Sequence, residues 1–167
     1  MTRTALSFLV DRKTTCPHVE RQAERAGPAL AQAEELCRAR RVRLTAIRRE
    51  VLETLYATHK PLGAYEIAER LGTSGRRLAP ITVYRALDFL TEQGLAHRLA
   101  SQNAYIGSFH RDSAPDTVAF LICEACGGVD EASAADLSET VAALLSREGF
   151  APRTKLLEIV GCCAHCR

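Results

Sequence analysis

The sequence predicts an α+β fold in which a helical N-terminal part is followed by a β-hairpin and a small α/β unit. Three observations point to this fold. Apolar residues recur at helical spacing in four segments before residue 93. Two short strand-like runs then flank Ser101-Gln102, and after residue 116 further strand-like runs surround one more helical segment. With 47% hydrophobic and 25% charged residues, the 167-residue chain has the composition of an ordinary globular protein.

The first two helices are expected after a weakly patterned, flexible leader at residues 1–27, part of which could be helical. Pro28 can occupy the first turn of a helix, and apolar residues recur at helical spacing from there to about Arg40. Thr45 is a suitable N-cap for the second helix, because its hydroxyl can accept a backbone N–H of the first turn. The buried stripe of this second helix ends near Thr58.

The next two helices and the hairpin have the order of a winged helix-turn-helix domain. A third helix ends at Gly72, and a fourth begins at Pro80 with an apolar face at helical spacing: Val83, Ala86, Leu87 and Leu90. In a winged helix the last helix enters the major groove of DNA and the hairpin forms the wing. The DNA-binding domain is therefore predicted at residues 28–107. The alternative is a small helical domain whose hairpin has no role in DNA binding.

The C-terminal residues 117–167 predict a small α/β unit behind a hinge at residues 108–116. Three strands are expected around one helix: residues 118–122, a strand at Val129, and residues 156–160. Ser133 can cap the helix, whose expected buried face is Leu137, Val141, Leu144 and Leu145. A unit of this size cannot form a large core alone, so a bound metal and dimerisation are both expected to support it.

The charge of the chain is unevenly distributed. Residues 1–100 carry 17 Lys and Arg against 11 Asp and Glu, whereas residues 101–167 carry 5 against 9. A basic half beside an acidic half favours nucleic-acid binding at one end of the molecule. Two solvated surfaces of no special purpose are the alternative interpretation.

No apolar run approaches the ~20 residues of a membrane helix, and the short apolar patch at residues 5–10 lacks the features of a signal peptide. The sequence therefore predicts a cytoplasmic protein without a membrane partner. Thiols stay reduced in that compartment, and four metal-bound thiols with three left over explain the odd count of seven cysteines better than a disulfide framework does.

Four of the cysteines form two pairs of equal spacing, Cys123 with Cys126 and Cys163 with Cys166. Two residues between thiols let one tight turn aim both sulfurs at a single point, and two such turns supply the four-sulfur shell of structural zinc. A redox-active cysteine pair and unmetallated buried thiols are the alternatives. Cys162 could compete with its neighbour as a ligand. Cys37 is expected to pack as a small hydrophobic residue.

Five segments together resemble the ferric uptake regulator family, and most closely its zinc-uptake branch. In chain order they are Pro80-Ile-Thr-Val-Tyr-Arg-Ala-Leu-Asp-Phe-Leu90, Gly94-Leu-Ala-His-Arg98, Ser101-Gln-Asn-Ala-Tyr105, Phe120-Leu-Ile-Cys-Glu-Ala-Cys-Gly127 and Cys163-Ala-His-Cys166. The resemblance covers roughly residues 30–167. It implies a homodimeric, zinc-responsive repressor of zinc-uptake genes that binds palindromic operators in double-stranded DNA and is not an enzyme. It also implies one structural zinc, at the paired cysteines, and at least one regulatory zinc in each subunit.

The resemblance places the metal-sensing ligands at His97, Ser108, Asp116 and Glu131. Ser108 stands where the family commonly has cysteine, and Asp116 where it commonly has histidine. His110 matches a histidine of some members, so the expected regulatory zinc shell is His97, His110, Asp116 and Glu131. This shell of two nitrogens and two oxygens suits tetrahedral zinc. It should bind zinc less tightly than a shell with a thiolate would. The alternative is that His110 and Asp116 are ordinary loop residues.

Candidate DNA contacts lie on the third and fourth helices. Arg85 is expected to contact a guanine edge, and Tyr65 matches a family position that touches bases. Thr82 and Tyr84 are candidates for phosphate or thymine contacts, although Tyr84 could equally pack in the core. Four arginines are expected to hold phosphates: Arg48, Arg49, Arg76 and Arg77.

Other histidines and cysteines are less informative. Cys16 and His18 could form a weak additional metal site, but a leader without a function is the favoured interpretation. His59 and His165 are expected to be bystanders, the first in an exposed loop.

Three rival functions remain at this stage. A sibling sensor of iron, manganese or peroxide would share the fold. A cytosolic thiol-disulfide protein and a zinc-stabilised scaffold without a regulatory site belong to other classes.

Overall fold

A computed structural model describes residues 16–72, 78–109, 117–132 and 135–167. Its elements follow the predicted order: α1 (Pro17–Ala39), α2 (Ala46–Tyr56), α3 (Ala64–Gly72), α4 (Pro80–Glu92), β1 (Ala96–Leu99), β2 (Ala104–Gly107), β3 (Val118–Cys123), β4 (Val129–Ala132), α5 (Ala135–Arg147) and β5 (Leu156–Gly161). The predicted α+β class is confirmed. Among the described residues no helix is long and apolar enough to span a membrane.

The first helix begins at Pro17, so the prediction that it begins at Pro28 is wrong. Pro17 stands at the first helical position, where its missing N–H is not needed, and Pro28 lies inside the helix. Packing stabilises the additional turns: Cys16 and His18 are buried, and the side-chain amide of Gln22 donates to the Tyr56 carbonyl at 3.3 Å. A helical turn that depends on tertiary contacts leaves little periodic signal in its own sequence, so the start of α1 was not predicted.

The N-terminal core is built mainly from α2, α3 and α4. Its fully buried side chains include Val51, Leu52, Leu55, Ile67, Val83, Leu87 and Leu90. Helix α1 adds Ala29, Ala33 and Cys37 to the same cluster, which confirms that Cys37 packs as a small hydrophobic residue. Gly94 ends α4 with φ +68°, and the Leu95 N–H returns to the Leu90 carbonyl at 2.8 Å. This left-handed ending turns the chain directly into β1.

The hairpin connects the two halves of the molecule. Strands β1 and β2 are antiparallel, with Ala96 opposite Gly107 and Leu99 opposite Ala104. Leu99 and Ile106 pack into a second cluster with Phe120, Ile122 and Val129. The inner face of the hairpin is therefore covered by the C-terminal sheet.

The C-terminal sheet has the strand order β4-β3-β5. Strand β3 pairs antiparallel with β4 and parallel with β5, so that Cys123 lies opposite Gly161. Because β3 and β5 run in the same direction, the turns that follow them lie at the same end of the sheet.

The expected buried face of α5 is wrong for a single chain. None of the described residues of α5 is buried, and Leu144 is 47% exposed. Strand β5 is similarly open, with Ile159 and Val160 each 51% exposed. A three-stranded sheet and one helix bury little of their own apolar surface, so the exposed apolar residues of α5 and β5 form a candidate surface for a partner.

Candidate metal centres and nucleic-acid interface

The two cysteine pairs meet at the shared edge of β3 and β5. Each pair forms a tight turn: the Gly127 N–H donates to the Cys123 carbonyl at 2.8 Å, and the Cys166 N–H donates to the Cys163 carbonyl at 3.0 Å. Cys123 and Cys126 are buried, and Cys163 and Cys166 pack against them. The structure thus brings all four predicted ligands into one cluster.

Backbone N–H groups point at two of these sulfurs. The Cys163 N–H lies 3.3 Å from Cys123 Sγ, and the Gly128 N–H lies 3.4 Å from Cys126 Sγ. Burial raises the pKa of Cys123, but the N–H groups of Cys163 and Cys126 outweigh it and lower this pKa to about 6. Burial raises the pKa of Cys126 to about 11. Metal binding at such a cluster must therefore release protons, and its affinity rises with pH.

A fifth thiol joins the cluster, whereas the sequence offered Cys16 only as part of a separate, weak metal site. Cys16 is 1% exposed and packs with Cys123 and Cys126. The sulfurs that lie within 4.8 Å of one another belong to Cys16, Cys126, Cys163 and Cys166. Cys16 is the N-cap residue of α1, so the expectation of a disordered leader is wrong for this residue. The only signal in the sequence was the close spacing of Cys16 and His18.

His18 lies beside this thiol and is 5% exposed. Its Nδ1 is 3.1 Å from Cys16 Sγ and 3.5 Å from Cys126 Sγ, and its Nε2 is 2.9 Å from a carboxylate oxygen of Asp130. Burial lowers the pKa of His18, but the contacts with Cys16 and Asp130 outweigh it and raise this pKa above its usual value. His18 therefore forms a polar connection between the cluster and β4.

A second candidate metal site lies between the wing and the C-terminal sheet. His97 on β1 and Glu131 on β4 approach to 3.4 Å between Nε2 and Oε1. Tetrahedral zinc with Zn–N and Zn–O bonds of about 2.0 Å requires a separation of about 3.3 Å between two ligand atoms, so the pair fits such a metal. His110 and Asp116, the other two predicted ligands, lie outside the described residues.

Ser108 borders the same site. Its hydroxyl donates to the Glu131 carboxylate, with oxygen distances of 3.2 and 3.4 Å, and the Phe109 N–H donates to the same carboxylate at 2.9 Å. The Tyr56 hydroxyl donates to the Ser108 carbonyl at 2.8 Å. Ser108 is 1% exposed. The position where the family commonly has cysteine thus faces the Glu131 carboxylate directly.

The candidate DNA contacts share one surface. Arg85 is exposed, and Thr82 and Tyr84 are partly exposed on α4. Tyr65 at the start of α3 is 69% exposed, and its ring meets that of Tyr84 edge to face at 6.4 Å. Tyr84 therefore lies at the edge of the core, where its ring supports Tyr65.

The arginines expected at phosphates differ among themselves. Arg49 forms ion pairs with Glu34, at 2.7 Å, and with Glu53, so its guanidinium is engaged within the protein and the phosphate prediction is disfavoured. Arg48 lies over the Phe89 ring at 3.6 Å and donates to the Arg43 carbonyl. Arg76 and Arg77 lie outside the described residues.

The remaining histidines and the extra cysteine are placed as follows. His165 and Cys162 are exposed. His59 is half-buried rather than exposed as predicted, and burial lowers its pKa. The loop of His59 packs beside the first cysteine turn, where the Val129 N–H donates to the His59 carbonyl at 3.3 Å.

The model of the ferric uptake regulator family matches residues 39–160. The chain belongs to the ferric uptake regulator family. It is 40% identical to the zinc uptake regulation protein of Escherichia coli K12 over 137 residues, which cover 82% of this chain and 80% of that protein.

Solved structures of the family give the same result. A zinc uptake regulator complexed with zinc and DNA is 39% identical and superposes with a TM-score of 0.78 over 84% of this chain and 94% of that one. Holo XcZur, also 39% identical, superposes with a TM-score of 0.74 over 82% of this chain and 95% of that one. Apo XcZur, 38% identical, reaches only 0.51 over 86% and 98%. The fold described here is closer to the holo than to the apo form of XcZur.

Proposed function

We propose that this member of the ferric uptake regulator family is a zinc-responsive, DNA-binding repressor of zinc-uptake genes, with zinc as its co-repressor. The main observation in support is the His97–Glu131 pair, in which Nε2 of His97 on the wing lies 3.4 Å from Oε1 of Glu131 on the C-terminal sheet. The 40% identity to the zinc uptake regulation protein of E. coli supports zinc as the metal. The protein is a regulator and not an enzyme.

The paired cysteines are proposed to hold a structural zinc: Cys123, Cys126, Cys163 and Cys166. Their burial and their position at one edge of the sheet support this assignment, and thiolates are preferred ligands of zinc. When bound, the metal would supply a cross-link between the ends of β3 and β5. Because a preformed site is rare in an unfolded chain, its binding energy contributes to folding.

The regulatory zinc is proposed to bind His97, His110, Asp116 and Glu131. When bound, it would supply one Lewis-acid centre that draws ligands from both the wing and the sheet. His97 is held against Phe120, with ring centroids 5.1 Å apart, and Glu131 is held by the Phe109 N–H. Two positioned ligands on separate elements make the angle between these elements sensitive to the metal. By linkage, whatever zinc adds to DNA affinity, DNA adds to zinc affinity.

DNA is proposed to contact α4 and the start of α3. Arg85 is the proposed base contact, with Tyr65, Thr82 and Tyr84 around it. The open apolar face of α5 and β5 is proposed to pair with a second copy of the chain. A homodimer with two-fold symmetry would present two recognition helices, which suits a palindromic operator.

The test is DNA binding measured against buffered free zinc for the wild type and for His97→Ala, with zinc per chain counted in parallel. The variant should fold and dimerise but lose zinc-dependent operator binding. His165→Ala is the matched control, because His165 is exposed and is not a proposed ligand. The control should bind DNA like the wild type.

The same assay separates the rival functions. Retained zinc-dependent binding by His97→Ala would show that the regulatory site is wrongly placed. Restoration of DNA binding by buffered Fe²⁺ or Mn²⁺ but not by Zn²⁺ would identify a sibling sensor. One zinc per chain at saturation, with DNA binding indifferent to zinc, would leave a scaffold with structural zinc only.

A further inference from the structure

We propose that Cys16 is a fifth thiol ligand of the metal at the cysteine cluster and can replace Cys123 in its coordination shell. The ligand class is a soft or borderline divalent cation such as Zn²⁺. The inference rests on the proposed structural zinc and extends it, because only the four paired cysteines were assigned to that metal.

The sulfur geometry supports this assignment. Cys16 Sγ is 4.0 Å from Cys163 Sγ. Tetrahedral zinc with Zn–S bonds of about 2.3 Å places its sulfurs about 3.8 Å apart, so this separation is that of two ligands of one ion. Cys16 also lies within 4.8 Å of both Cys126 and Cys166. Cys16, Cys126, Cys163 and Cys166 therefore form a complete four-sulfur set without Cys123.

The position of His18 next to the cysteine cluster depends on the space beside Gly128. The His18 ring lies against Gly128, where an added Cβ would come within 2.6 Å of the ring Cγ. Asp130 holds the far side of the ring at 2.9 Å, and Arg21 pairs with the same carboxylate at 3.5 Å. Only glycine at this position leaves room for the imidazole. The fit of the His18 ring against Gly128 therefore supports a specific site for the leader at the cluster.

Helix α1 connects Cys16 to the DNA-binding half of the molecule. Cys16 occupies the N-cap position of α1, where the helix dipole favours a negative charge. The same helix packs into the N-terminal core through Ala29, Ala33 and Cys37. A metal bond to Cys16 thus fastens the DNA-binding half to the metal centre of the C-terminal sheet. Five thiols for four positions also make the centre tolerant of losing one thiol.

The test is a double-mutant cycle on the full chain with Cys16→Ser, Cys123→Ser and the double variant. Each protein is titrated with Co²⁺ in competition with a chelator, and thiolate-to-cobalt charge-transfer absorption is recorded. This absorption reports the cysteine cluster alone, because the shell proposed for the regulatory site contains no sulfur. Cys162→Ser is the control, since Cys162 is exposed.

Each single variant should keep a four-thiolate spectrum and near wild-type affinity, because four sulfurs remain. The double variant should lose about a quarter of the absorption and bind about ten- to a hundredfold more weakly. If Cys123→Ser alone is as weak as the double variant and Cys16→Ser changes nothing, Cys16 only packs and the inference is wrong.

Two further variants keep the outcome interpretable. Gly128→Ala retains every thiol but displaces His18, so its combination with Cys123→Ser should weaken Co²⁺ binding as the double variant does. Normal binding by this combination would contradict the inference without requiring loss of a thiol. The combination of Cys163→Ser with Cys166→Ser tests the proposed structural site itself, because only three of the five thiols remain. If the thiolate-to-cobalt absorption of this variant equals that of the wild type, the cluster does not bind the metal and both proposals fail.

Discussion

Replacing Ser108 with cysteine should make the regulatory site bind zinc more tightly. The Ser108 hydroxyl lies 3.2 and 3.4 Å from the two oxygens of Glu131, whose Oε1 is 3.4 Å from His97 Nε2. A zinc ion with bonds of about 2.0 Å to oxygen and about 2.3 Å to sulfur separates the two ligand atoms by about 3.5 Å. A thiolate at residue 108 therefore reaches the position of a zinc ligand with little movement.

The magnitude follows from ligand type and from packing. Exchange of an oxygen or water ligand for a thiolate should strengthen zinc binding by about ten- to a hundredfold, or about 1.4–2.7 kcal/mol. Ser108 is 1% exposed, so the larger sulfur should destabilise the metal-free protein by about 1 kcal/mol. Affinity for zinc and stability without zinc should thus change in opposite directions.

The assay is competition with a chelator of known zinc affinity, followed by operator binding at each free zinc concentration. Ser108→Cys should reach half-maximal DNA binding at about a tenth of the wild-type free zinc or less. Ser108→Ala is the control, because it loses the hydrogen bond to Glu131 without adding a ligand. Equal shifts in the Cys and Ala variants would refute the reasoning, since removal of the hydroxyl would then explain the whole effect.

Three further predictions concern DNA, packing and pH. Arg85→Ala should weaken specific operator binding by about 1–3 kcal/mol while zinc per chain stays unchanged; an equal loss on unrelated DNA would exclude a base contact. Phe120→Ala should lower the free energy of unfolding by about 3–5 kcal/mol in urea titrations, because Phe120 is fully buried between the wing and the sheet; a loss under 1 kcal/mol would mean that the two halves are not packed together. Glu158→Gln should destabilise the protein by less than about 1 kcal/mol, because Glu158 accepts the Ala100 and Ser101 N–H groups at 2.7 and 3.0 Å near the surface. Burial raises the pKa of Glu158, but the bonds from Ser101 and Ala100 outweigh it and lower this pKa below its usual 4.5. The stabilisation is therefore full above about pH 4.5 and disappears as pH falls through the lowered value, and a difference between wild type and variant that grows on acidification would contradict this sign.

The sequence predicted the secondary-structure elements well where residues near their ends define them. Gly94 and Pro80 mark the ends of α4, and the strands predicted at residues 118–122 and 156–160 each end one residue later in the structure. The start of α1 was predicted wrongly, because its first turns are stabilised by contacts between Cys16, His18 and distant residues. Such contacts leave no periodic signal in a short segment.

The exposed stripe of α5 illustrates a second limit. Its apolar spacing was recognised, but the sequence cannot say whether a face is covered by the same chain or by another. Among the described residues Leu144 on α5 is 47% exposed, and Ile159 and Val160 on opposite faces of β5 are each 51% exposed. The apolar residues of α5 that the sequence predicted to be buried are therefore part of a candidate dimer surface.

The sequence by itself determined the family, the order of the elements and the four paired cysteines, because these depend on local spacing and on motifs. Only the tertiary structure decided which distant groups meet. Parallel pairing of β3 and β5 brings the two cysteine turns together, and the wing packed on the sheet places His97 beside Glu131. The same packing buries Cys16 at the cluster, 147 residues from Cys163 along the chain. Contacts across such separations depend on the whole fold, and no local spacing encodes them.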